Sequence, residues 1–127
     1  MARSFVERGE TTAETVVAVP VVFAVLLVAV HATAFLHATQ VASVAAARGA
    51  AAGAARGGGA TDAVTVASAT VHELSSRLAR DPVAIADGEW MVVSVWVDVP
   101  HIAPFMPRTA VRSVREPLEH YRYEDER

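Results

Sequence analysis

The chain has 127 residues, enough for one folded domain. Of these, 53% are hydrophobic but only 6% aromatic, so the core must be built mostly from Ala and Val and stay small. A net charge of −3 gives no electrostatic basis for nucleic-acid binding, and the lack of Cys excludes disulfides, thiolate metal sites and Cys nucleophiles.

From Thr15 to Leu36 there is no Asp, Glu, Lys or Arg, and the uncharged stretch continues to Ala47. About 20 apolar residues, rising 1.5 Å each, cross a hydrocarbon core of roughly 30 Å. Val16 to Val19 and Val21 to Val30 show no polar face before His31 and Thr33, unlike the surface helix of a soluble domain. A transmembrane helix is therefore expected. Arg3 and Arg8 precede it, which favours a cytoplasmic N-terminus and an extracytoplasmic C-terminal domain. Two residues are unusual for a plain anchor. Glu14 stands at the mouth of the apolar run, where a carboxylate is unfavourable unless paired or near headgroups. Pro20 lies inside the helix, where it removes a backbone hydrogen bond.

Arg8-Gly9, Glu14, the segment Val16 to Pro20 and the run to Val30 resemble the leader and first helix of type IV pilin-like proteins. Together with Ala46-Ala47-Arg48-Gly49-Ala50, they most resemble the TadE-like pseudopilins of tight-adherence (Flp-type) pilus systems. The likeness covers residues 8 to 50. It departs at Thr15, where the family commonly has an aromatic, and at Glu10, an unusual residue for a mature start. The resemblance implies cutting between Gly9 and Glu10 by a prepilin peptidase. It also implies a pairing of Glu14 with the N-terminal amine of a neighbouring subunit, which would fix the register between subunits. Its expected partners are the membrane, the peptidase, other pilin or pseudopilin subunits and the pilus assembly platform. Two other readings stay open: a non-pilus single-pass anchor presenting a small binding domain, and a secreted domain released by signal cleavage near Ala47.

Phe35 to Arg56 is Ala-rich and should stay helical. Ala45, Gly49, Gly53 and Gly57 recur every four residues, a stripe that serves either close helix packing or flexibility. Gly57-Gly58-Gly59 should end the helix. Thr61 or Asp62 would cap a second, amphipathic one, with Val64, Ala67, Val71, Leu74 and Leu78 on one face. Arg77 and Arg80 would lie in its last turn and Pro82 would stop it.

The period then changes to two. Val83 to Ala86 and Glu89 to Val99 read as strands joined by a turn at Asp87-Gly88. Met91, Val93, Val95, Val97 and Val99 should face the second helix. Trp90 and Trp96 share the opposite face, where they either complete a small core or mark a contact surface. Pro100 to Pro107 reads as a loop with three prolines, and Thr109 to Arg115 as a third strand.

The expected fold is α+β: a long N-terminal transmembrane helix, then one amphipathic helix packed on an antiparallel sheet of two or three strands. The expected divisions are a cytoplasmic leader (1–9), the membrane helix with its extension (10–56), a Gly-rich hinge (57–60), an outer domain (61–115) and a charged tail (116–127). No catalytic site, cofactor, metal or small-molecule substrate is expected. His31, His37, His72, His101 and His120 fall in no metal-ligating spacing, and no nucleophile elbow or phosphate loop is present. His31 and His37, at the outer end of the apolar run, are expected to be solvated at the membrane interface.

Overall fold

In the computed structural model residues 3–120 are described, without the side chains of residues 3–8 and 10. Met1, Ala2 and residues 121–127, which include the start of the leader and most of the tail, lie outside the described residues. The elements are α1 (Arg3–Ala54), α2 (Ala60–Glu73), β1 (Leu78–Asp87), β2 (Trp90–Asp98) and β3 (Thr109–Pro117). The fold is α+β, with a long apolar first helix, a second helix and a three-stranded antiparallel sheet in the order β1-β2-β3.

α1 is a single helix of 52 residues with Pro20 inside it. It stops before Gly57, whose φ of +77° a side chain would resist. Its end is tied to the far end of the chain. The Glu119 amide donates to the Ala54 carbonyl at 3.0 Å, and the Glu119 carboxylate accepts from the Arg56 amide at 3.2 Å. A helix-terminal carbonyl is thus satisfied by a tertiary contact.

The core has two sides. On the sheet side are Met91, Val93, Val95, Val97 and Val99, all 2% exposed or less, so the expected alternation along β2 holds. On the helix side are Ala38, Val41, Ala42, Ala45, Ala46, Ala50 and Ala54 of α1, with Ala63, Ala67 and Val71 of α2. The buried face of β2, expected to meet the amphipathic helix, instead packs mainly on the second half of α1, while α2 lies chiefly against β1. Each fully buried Val contributes roughly 1.5–3 kcal/mol. The alanines contribute less by area, but they let the backbones approach.

Several local expectations are corrected. α2 is capped by Gly59, without a side-chain bond, so Thr61 and Asp62 lie inside its first turn. It ends at Glu73 rather than near Arg80. Ser75 takes φ 56°, its amide donates to His72 O, and the Ser76 amide reaches back to Val71 O, both at 3.0 Å. This is the Schellman closure, with Ser where Gly is usual. Leu78, Arg77 and Arg80 therefore leave the helix. Leu78 pairs with Val97 and Arg80 with Trp96 in β1, and the Arg77 carbonyl accepts from the Asp98 amide at 2.8 Å. Pro82 is buried within β1 instead of preceding a short strand. β1 is an edge strand with register shifts on either side of Arg80, which is where a sheet tolerates a residue without N–H. The β1–β2 connection is Gly88-Glu89, with Gly88 at φ +59°. β3 runs two residues beyond Arg115, taking Glu116 and Pro117 from the expected tail.

Candidate functional site

Every residue from Thr11 to Val30 is exposed, and His31 is fully buried. The helix thus changes character within one residue. Below Val30 it is a free rod, with Val16, Val17, Phe23 and Val25 each more than 60% exposed. Above it, one face becomes the spine of the domain. At 1.5 Å per residue the rod is about 30 Å long, the thickness of a bilayer's hydrocarbon core. It belongs to the one helix among the described residues that is long and apolar enough to cross a membrane. Two threonine hydroxyls on and just above the rod are satisfied by the helix backbone. Thr15 donates to Thr11 O at 2.9 Å and Thr33 to Ala29 O at 3.0 Å, so neither needs water.

Glu14 projects from this rod with no hydrogen bond or ion pair to a described side chain. Gly9 is exposed, and a Cβ there would meet nothing within 4 Å. Glu10 follows in the same helix, and its side chain lies outside the described ones. Pro20 leaves the helix unbroken, three turns below His31.

The stripe Ala45, Gly49 and Gly53 lies inside the domain. A Cβ on Gly49 would sit 2.7 Å from the Ala63 carbonyl oxygen and 3.0 Å from Ala67 Cβ. A Cβ on Gly53 would sit 2.7 Å from Ala63 Cβ. The two glycines are the floor on which α2 rests, and Ala45 is fully buried beside them. This answers the choice between packing and flexibility in favour of packing within the chain.

His31 is covered by the loop between β2 and β3. Its Nε2–H donates to the Pro107 carbonyl at 2.9 Å, while Nδ1 is buried without a partner. Interfacial solvation of His31 is therefore incorrect; the imidazole is a tie between the helix and the loop. His37 is exposed and lines a shallow cleft of about 190 Å³ with Ser75, Ser76, Arg77 and Asp98.

The outer face of the sheet carries both tryptophans. Trp96 lies under Arg80, with 4.3 Å from the guanidinium carbon to the ring centroid, and Trp90 under Arg115 at 5.0 Å. Between them Ser94 and Ser113 share a hydrogen bond of 2.6 Å across β2 and β3. Trp90 is 41% exposed, and neither ring belongs to the core.

No family model, curated protein or solved structure matches the chain.

Among the described residues no group of three His, Asp or Glu side chains is placed to hold a metal ion. The cleft beside His37 is lined mostly by apolar surface, including Ala34, Ala38 and Pro100, and its charged residues Arg77 and Asp98 are both exposed. What the molecule offers is surface: an apolar rod with one carboxylate, and a sheet face with two Arg-covered tryptophans. Sequence patterning locates both. It misses the burial of His31, because its partner is a backbone carbonyl 76 positions away, which no local spacing signals.

Proposed function

We propose that the chain is a minor pilin or pseudopilin of a tight-adherence (Flp-type) pilus or a related secretion system. In this reading α1 crosses the membrane once, with the N-terminus cytoplasmic and the α+β domain outside, and the subunit is later drawn into an assembly.

The observation that carries the reading is the abrupt change at Val30/His31. A helix that supports a packed domain continues as an unpartnered apolar rod of bilayer length. Such a rod is stable in lipid. It is equally suited to bundling with the same rods of other subunits once withdrawn from lipid. Glu14 supports the second use. A carboxylate near the end of an apolar rod is disfavoured in lipid, and a cation from a neighbouring subunit relieves that cost only when the subunits are in register. In this mechanism Gly9 and Glu10 flank the cleavage that creates the cation, an N-terminal ammonium. Glu14 then selects the axial position of the incoming subunit. The role is structural and involves no reaction by this chain.

The test is the mature N-terminus, read by mass spectrometry on membranes from a strain carrying the native secretion genes. A start at Glu10 supports the pilin reading. An intact Met1 or Ala2 replaces it with a plain membrane anchor, and a start near Arg48 replaces it with a secreted domain.

A further inference from the structure

The loop joining β2 to β3 carries the most exposed large hydrophobic side chain among the described residues. Phe105 is 104% exposed and takes φ +63°, a left-handed backbone that Phe adopts at a cost. It therefore touches nothing in its own domain. Residues 99–107 contain no Asp, Glu or Arg, and three of them are proline. The loop is also held at several points. The Val99 amide donates to Arg108 O at 2.7 Å, the Arg108 guanidinium donates to His101 Nε2 at 3.1 Å, and Ala103 is buried. Phe105 thus projects from a fixed base, with little conformational freedom left to lose on binding.

The height of the loop along α1 identifies what it meets. Pro107, two residues after Phe105, is bonded to His31, and His31 directly follows the exposed rod. From Glu14 to His31 is 17 residues, roughly 26 Å along the axis at 1.5 Å per residue. A hydrocarbon core of about 30 Å that starts near Glu14 therefore ends above His31, not below it. The loop is pinned at the depth of the outer headgroup–acyl boundary, where an aromatic ring is favoured.

We propose that the β2–β3 loop is a second membrane contact, with Phe105 entering the interface of the bilayer that α1 crosses and Met106 beside it. This rests on the reading of α1 as a membrane-spanning helix. The occupant is lipid. A proline-stiffened loop whose one formal charge is Arg108 at its β3 end, with one bare aromatic held level with the end of an apolar rod, matches the headgroup–acyl boundary better than a protein surface whose position would vary. Two attachments at different points fix the tilt of the domain over the membrane, which one helix alone leaves free.

The absence of Cys makes the test direct. The full-length chain is spin-labelled at Pro104→Cys, or at Met106→Cys on the other side of Phe105, and reconstituted in phosphatidylcholine–phosphatidylglycerol vesicles. Collision with oxygen and with a water-soluble nickel chelate is measured by electron paramagnetic resonance. Val25→Cys serves as a rod reference and Ser113→Cys as an outer-sheet reference. The loop labels are expected to favour oxygen several-fold over the Ser113→Cys position, and Phe105→Ser is expected to abolish that preference. Loop labels that match Ser113→Cys, while Val25→Cys is lipid-exposed, overturn the proposal and leave the spanning helix intact. Protection from both reagents overturns it in favour of a neighbouring subunit. A water-exposed Val25→Cys overturns the spanning reading, and the proposal with it.

Discussion

His31 Nε2 lies 2.9 Å from the carbonyl oxygen of Pro107, joining the middle of the first helix to the last connection of the sheet. The carbonyl can only accept, so Nε2 carries the hydrogen. His31→Ala removes the donor and leaves a hole beneath the loop. We predict a loss of about 2–3 kcal/mol in domain stability in detergent. The local readout is faster hydrogen exchange over residues 100–108, with β2 amides unchanged in relative order. Uniform protection of the loop in the variant would show that the tie is dispensable.

Glu14 stands on the exposed rod, away from the core, so its removal should leave the fold alone. If the proposed pilin role holds, Glu14→Ala is expected to reach the membrane at the normal level and to be lost from sheared surface filaments. Fractionation of the two pools measures both. Wild-type incorporation of the variant would remove Glu14 from the assembly mechanism.

Gly53 and Ala63 are matched across α1 and α2: a Cβ added to Gly53 would lie 2.7 Å from the Cβ that Ala63 already has. Gly53→Ala gains up to about 1 kcal/mol of helix propensity but forces the helices apart, at about 1–3 kcal/mol. We predict net destabilisation. Adding Ala63→Gly should recover part of it, giving a favourable coupling in a double-mutant cycle of thermal unfolding. Strict additivity would mean that the helices do not meet there.

The stacking of Arg80 on Trp96 lies at the sheet surface, one guanidinium over one ring. Exposed pairs of this kind contribute about 0.5–1 kcal/mol. A cycle of Arg80→Met and Trp96→Leu, followed by thermal unfolding, should return a coupling of that size; a coupling of zero would mean that the stack adds nothing to stability.

Arg48 and Glu73 meet at 3.3 Å with 52% and 67% of their side chains exposed. Such a pair is worth little in water. Glu73→Gln is expected to shift stability by less than about 0.5 kcal/mol, and the shift should shrink further in high salt. A large effect would point to a role for Glu73 beyond this pair.

Period and composition make much of the fold legible. The charge-free run announces α1, and the alternation from Met91 to Val99 gives the buried face of β2 residue by residue. Errors gather where backbone geometry is set by an unusual residue or a distant partner. Leu78 continues the three-four spacing of α2 so well that the pattern carries the helix too far. The stop is a left-handed Ser75, which has none of the usual glycine signal. Pro82 has the pattern of a barrier to structure yet belongs to an irregular edge strand, because at an edge its missing N–H costs nothing. The stripe from Ala45 to Gly53 is visible in the sequence, but its partner, α2, is identified only in three dimensions. The rod and Glu14 are legible because they depend on composition alone, whereas the pinned loop depends on the His31–Pro107 contact.

From Val21 to Ala54 the polypeptide is one helix, free at the bottom and clamped into the domain at the top. Mechanically it is a shaft keyed to its head. A quarter-turn of the rod about its own axis must carry the tryptophan face through the same quarter-turn, and a lean of the rod becomes a sideways sweep of the sheet. Under the proposed assembly, how the rods of neighbouring subunits settle against one another would therefore dictate the compass bearing of Trp90 and Trp96 on the outside.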